Sequence, residues 1–131
     1  MKTITRSKLL KECWKLYSRK IRNDRGNICE VHNKKCKGIG CAHILPVSTH
    51  PRLRFCEANI IVACWFGGHF HSHHNHRDPR AKDFEQAILR KFKKNKFEEV
   101  EEGLKIIEAM QPKHTTHYLM CLYYALKKEA K

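Results

Sequence analysis

Between Asn27 and Pro79 the chain crowds cysteine, histidine and glycine together, while the segments on either side carry helical periodicity. That contrast constrains the fold more than any other feature. With 131 residues the chain suits one domain with a modest core. The expected organisation is a single domain over residues 1–131. An N-terminal helical segment (1–26) and C-terminal helices (80–131) clasp a compact central motif (27–79).

Residues 5–22 read as an amphipathic helix, with Leu10, Trp14, Tyr17 and Ile21 at helical spacing and Thr5 or Ser7 as cap. Trp14 and Tyr17 are read as core residues. Asn23–Asn27 is a turn. Cys41–Val47 reads as a short strand ending at Pro46, and the β-branched run Asn59–Ala63 as a second. Ser48–Ala58 between them is too long for a tight turn and is expected to form an extended loop. After Gly67-Gly68 comes a histidine-dense segment, His69–His76. Asp78 and Pro79 read as N-cap and first residue of the next helix, which runs to about Lys94 with Phe84, Ile88 and Phe92 on one face. Another helix spans about Phe97 to Met110, with Phe97, Val100, Leu104 and Ile107 in register, before Pro112. The last starts near Thr116 and is apolar on more than one side. It is expected to be sandwiched or to pair with a second copy of the chain, giving a homodimer through the C-terminal helices.

Seven cysteines is an odd number, and five of them fall between Cys29 and Cys64, interleaved with histidines. The N-terminus, MKTITRSKLLKECW, has charge where a signal peptide would be apolar. No apolar run approaches the roughly 18 residues that span a membrane. Metal-binding thiolates in a reducing cytoplasm fit better than a disulfide scaffold, and no membrane association is expected. Lys and Arg outnumber Asp and Glu by 27 to 13, a net charge of +14. Such a surface attracts polyanions such as DNA or RNA. Charge names a class of partner, not a reaction.

The chemistry lies in an ordered set. His69 and His73 are four residues apart, so on a helix both imidazoles share one face and can share one cation. His43 stands on the first strand and Asn59 opens the second. A neutral imidazole is well suited to take a proton from water. A divalent cation can neutralise phosphate charge and stabilise the leaving 3′ oxygen. An Asn amide can bridge backbone groups across the long loop and hold the strand of the base. A zinc protease would place Glu after the first histidine, as H-E-x-x-H; here Phe70 stands there.

CAHILP, LRFCEANIIVAC and GHFHSHHNHRDP resemble the three pieces of the HNH (ββα-metal) endonuclease motif. The closest resemblance is to the phage-type group of the lambda NinG/Rap recombination protein family. It extends upstream to WKLYSRKIRNDRGNIC and more faintly into the downstream helices. The resemblance implies an α+β fold: a small ββα-metal core with a two-stranded antiparallel hairpin, flanked by several α-helices. It implies hydrolysis of DNA phosphodiester bonds, with duplex or branched DNA as partner in recombination and the host cytoplasm as location. His43 would be the general base, Asn59 the residue that orients the loop, and His69 and His73 the ligands of the catalytic metal. One departure is Ala42, where many HNH motifs carry a further metal ligand; a small residue is also common there in the phage group. Two protein ligands suit Mg²⁺ or Mn²⁺, and two imidazoles would also accept Zn²⁺ or Ni²⁺.

HNH relatives often join a cysteine pair before the first strand to a C-x2-C pair after the second. Here Gly68 takes the place of the last cysteine. The expected structural Zn²⁺ site is Cys29, Cys36 and Cys64 with His32 as fourth ligand and Cys41 in reserve. Cys13, Cys56 and Cys121 are read as ordinary residues. Arg52 and Arg54, in the loop between the strands, are candidates for phosphate contacts beside the scissile bond, with His74 and His76 adding to them. Arg90–Lys96 reads as a solvated helix end. The competing reading is a zinc-stabilised DNA-binding module without catalysis.

Overall fold

The computed structural model describes residues 4–64 and 80–130. The fold is α+β. Among the described residues, four α-helices surround a two-stranded antiparallel hairpin. In chain order these are α1 (Arg6–Asp24), β1 (Ile39–His43), β2 (Ile60–Cys64), α2 (Arg80–Phe92), α3 (Phe97–Ala109) and α4 (Thr116–Glu129). The expected Asp78–Pro79 helix start and the His69–His76 segment lie outside the described residues. No helix among those described is long and apolar enough to cross a membrane.

Helix α1 starts at Thr5, whose hydroxyl accepts from the Lys8 N–H at 3.2 Å. It ends at Gly26, where φ is +76° and the Asn27 N–H returns to the Arg22 carbonyl at 2.8 Å. Its buried stripe is Leu9, Cys13, Tyr17 and Ile21, one step round from the expected line through Leu10 and Trp14, which are half-buried. Cys13 is a core residue, and its thiol donates to the Leu119 carbonyl at 3.4 Å. Helix α4 is capped by Thr115, which accepts from the Tyr118 N–H at 3.1 Å.

In the hairpin Ile39 faces Cys64 and His43 faces Ile60. β1 starts earlier than expected and gives way after His43, and β2 is shifted by one residue, because Asn59 belongs to a 3-10 turn, Glu57–Asn59. The intervening loop is not extended: single 3-10 turns at Pro51–Leu53 and Glu57–Asn59 fold it against the core. Strand alternation divides that core in two. Ala42, Ile61 and Ala63 point to one side and pack with Phe84, Ala87, Ile88, Val100 and Leu104 of α2 and α3. Cys41, Ile60 and Val62 point to the other and meet Leu9, Cys13, Tyr17 and Ile21 of α1 and Leu119 and Leu126 of α4. All five residues of β2 are therefore buried, and this explains its uninterrupted apolar run.

Helices α1 and α4 run parallel. Cys13 lies at Leu119, and Lys20 lies 3.9 Å from Glu129. Leu119 and Leu126 face this seam, while Tyr124 remains 63 % exposed.

Candidate metal centre and the strand of His43

A tight turn follows α1. The Cys29 N–H donates to the Lys34 carbonyl at 3.0 Å, and the Asn33 N–H returns to the Cys29 carbonyl at 2.8 Å. Asn33 adopts φ +55°, a left-handed conformation that asparagine tolerates. The turn brings Cys29, His32 and Cys36 to the end of β2, where Cys64 completes a cluster of four. Their ligand atoms all lie within 4.8 Å of one another. His32 Nδ1 is 3.6 Å from Cys29 Sγ, 3.5 Å from Cys36 Sγ and 3.3 Å from Cys64 Sγ. A tetrahedral zinc with Zn–S of about 2.3 Å and Zn–N of about 2.0 Å requires N···S edges of about 3.5 Å. The donor set therefore has the dimensions and the chemistry of a Cys3His zinc site.

The thiolate form of Cys29 is supported by its surroundings. Burial opposes it, but the backbone N–H groups of His32, Cys64 and Val31 and the Cys64 thiol outweigh burial and hold the pKa below that of an ordinary cysteine. The Cys64 N–H lies 3.3 Å from Cys29 Sγ. Cys41, the reserve ligand, stays outside the cluster and packs against α1. Its thiol donates to the Ser18 carbonyl at 3.5 Å, and burial pushes its pKa up to about 11. The fourth position belongs to His32.

The same turn seals the outer edge of β2. Glu30 binds Val62 twice: its N–H donates to the Val62 carbonyl at 2.7 Å, and its Oε1 accepts from the Val62 N–H at 2.7 Å. Arg25 Nη1 donates to Glu30 Oε1 at 2.9 Å and to the Ile60 carbonyl at 2.6 Å, and its Nη2 donates to the Glu57 carbonyl at 2.8 Å. From α2, Lys91 donates to Glu30 Oε2 at 3.2 Å, and Arg90 donates to the Glu30 and Val31 carbonyls, each at 3.2 Å. Burial alone would raise the pKa of Glu30, but the Val62 N–H, Lys91 and Arg25 lower it below the ordinary carboxylate value. Arg90 and Lys91 are thus not part of a merely solvated helix end, which corrects the expectation for the start of Arg90–Lys96. Arg25 and Glu30 carry no sequence signal of this role, because their partners are remote in the chain.

His43 closes β1. Its Nε2 lies 3.0 Å from the Arg54 carbonyl oxygen. A carbonyl only accepts, so Nε2 is protonated in this contact. The Trp14 ring lies against the imidazole, with centroids 4.6 Å apart and planes tilted by 34°. Asn59 is 0 % exposed. Its Oδ1 accepts from the Leu45 N–H at 2.8 Å, and its Nδ2 donates to the Leu45 carbonyl at 3.1 Å and the Leu53 carbonyl at 3.4 Å. Its own carbonyl accepts from the Ile44 N–H at 2.8 Å. One buried amide thus staples the exit of β1 to the loop that carries Arg54. Arg52 and Arg54 are half-exposed on that loop. A second loop anchor had no sequence signal: His50 Nδ1 lies 3.0 Å from Glu108 Oε1 on α3.

The candidate ligands His69 and His73 and the candidate phosphate contacts His74 and His76 lie outside the described residues, as does Gly68. Comparison of the chain with known protein families, with curated proteins and with solved structures gives no match.

Proposed function

We propose that this chain is a metal-dependent endonuclease of the HNH type that hydrolyses DNA phosphodiester bonds, with His43 as general base and a structural zinc at Cys29, His32, Cys36 and Cys64. The observation that carries the reading is the placement of His43 at the end of β1, with Nε2 3.0 Å from the Arg54 carbonyl. An imidazole held at Nε2 by a backbone carbonyl keeps one ring orientation, which suits a base that acts on one proton repeatedly. Asn59 supports the reading by fixing the loop that supplies that carbonyl. Arg52 and Arg54, on the same loop, suit phosphate contacts.

In this reading Nδ1 takes a proton from water as the water oxygen bonds to phosphorus and the P–O3′ bond breaks. His69 and His73 are the residues that would hold a divalent cation, Mg²⁺ or Mn²⁺ by choice and Zn²⁺ or Ni²⁺ by tolerance. Bound there, such an ion supplies charge neutralisation on the phosphate and stabilises the leaving oxygen.

Purified protein should nick or cut DNA only with an added divalent cation. His43→Ala should reduce the rate by roughly 10²- to 10⁴-fold, the usual contribution of a general base, while leaving DNA affinity in place. Cleavage that continues undiminished in a pure His43→Ala preparation removes His43 from the chemistry. The alternative, a zinc-stabilised DNA-binding module, draws support from Ala42, which packs into the core at 2 % exposure and offers no ligand. Binding to linear, nicked, single-stranded and branched DNA without cleavage in Mg²⁺, Mn²⁺ or Zn²⁺ would establish it instead.

A further inference from the structure

A strip of rings runs from His43 to the start of α4. Trp14 lies against His43, and Phe55 follows with its centroid 6.4 Å from Trp14. His114 comes next, 5.2 Å from Phe55, and Tyr118 stacks on His114 at 5.1 Å with the planes 20° apart. Phe55 is buried and anchors the strip, while Trp14, His114 and Tyr118 are each half-buried and keep part of their surface in solvent.

Arginines border these rings. Arg52 and Arg54 come from the interstrand loop. Arg6, exposed, comes from the first turn of α1, and the parallel packing of α1 on α4 puts that turn at the same end of the molecule as His114. Burial first, and then the charges of Arg54, Arg6 and Arg52, hold the pKa of His114 below the ordinary histidine value. The ring surface therefore sits in a positive field.

Half-exposed rings bordered by arginines have a specific use. Bases inside a duplex are stacked on one another, so a protein reaches only their edges and the phosphates. Ring faces become useful when bases are unpaired and free to stack on the protein while arginines take the backbone. We propose that this strip seats an unpaired DNA strand leading to His43, with a base stacked on the Tyr118–His114 pair and the flanking phosphates on Arg6, Arg52 and Arg54. The choice of DNA rests on the nuclease reading above. The seat deepens that reading by making the preferred substrate one with a single-stranded segment beside the bond that is cut.

Binding of the full zinc-loaded chain to a labelled oligonucleotide of about 15 nucleotides, close to the upper range of single-strand site sizes, can be followed by fluorescence anisotropy without Mg²⁺ or Mn²⁺. The matched duplex is the second arm. His114→Ala and Tyr118→Leu should each weaken single-strand binding about 5- to 100-fold, the effect of losing one stacked base, and change duplex binding less than about twofold. Tyr118→Phe, which keeps the ring, should bind like the parent. Equal losses on both DNAs, or no loss on either, would overturn the seat. Should the Tyr118→Leu chain not fold, Arg6→Gln at an exposed position decides the matter. It should lower the slope of log affinity against log salt by about 0.7 for the single strand, and an unchanged slope counts against the seat. Because binding is read without turnover, the two readings fail separately. Ring-dependent single-strand binding by a chain that cuts nothing would remove the nuclease and keep the seat. Cleavage that needs His43 but is indifferent to the rings would do the reverse.

Discussion

Asn59 has both ends of its amide engaged in a place water does not reach. Replacing it with Ala leaves the N–H and carbonyl of Leu45 buried without partners. At about 1–3 kcal/mol for each such group, Asn59→Ala should lose about 2–6 kcal/mol in urea unfolding. It should also lower cleavage more than it lowers DNA affinity, because the Arg54 carbonyl that fixes His43 rides on the same loop. Glu30 is less deeply placed, with its side chain 25 % exposed, so Glu30→Gln should cost less. The amide keeps an oxygen for Val62 but gives up the charge that pairs with Arg25 and Lys91, about 1–2 kcal/mol after solvent screening. The two residues differ in how far the sequence betrays them. Asn59 stands out as the polar residue that opens an apolar strand. Glu30 is one carboxylate among 13 acidic residues, and Lys91 lies 61 positions away, so no local pattern marks the contact.

At the level of elements, the helices were readable because each buries one stripe, and Thr5, Gly26 and Thr115 punctuate them by known rules. The hairpin was readable from the β-branched run of β2. The gathering of Cys29, His32, Cys36 and Cys64 was expected from their spacing together with the resemblance to HNH proteins, whereas the exclusion of Cys41 follows from its contact with the Ser18 carbonyl of α1, which no local pattern marks. The turn that bears three of these ligands also closes the edge of β2, so metal and sheet should be lost together. Chelation of a bound zinc should lower the melting temperature sharply, since structural zinc contributes directly to folding. Zinc content should be one per chain in the parent and in Cys41→Ser, and near zero in Cys64→Ser. Cobalt substitution should give a thiolate-to-metal charge-transfer band in the first two only. A Cys41→Ser protein that fails to retain the ion would mean that the ligand set is wrong.

Across the whole molecule, the +14 net charge serves two purposes that composition cannot separate. Arg25, Arg90 and Lys91 close the zinc turn onto β2 and α2 through hydrogen bonds to Glu30 and to backbone carbonyls. Arg6, Arg52 and Arg54 instead gather at the other feature of the fold, the seam where the interstrand loop meets the starts of α1 and α4. The hairpin holds these regions apart, since the zinc turn follows the outer edge of β2 while His43 lies at the end of β1. Two substitutions that change formal charge by the same amount test this division. Arg52→Gln and Lys91→Gln each remove one positive charge. Arg52→Gln should lower the slope of log affinity for single-stranded DNA against log salt by about 0.7, the value for one phosphate contact, with little change in melting temperature. Lys91→Gln should leave the slope in place but weaken the clasp on Glu30. Burial already lowers the pKa of Lys91, so its charge is held at some cost, and the net loss should be modest, about 1 kcal/mol or a few degrees in melting temperature. Titrations across a salt series, paired with thermal melts of both proteins, would read the two effects independently. If both substitutions moved the salt slope equally, the positive charge would be acting as one diffuse field, and the separation of folding charge from binding charge would have to be given up.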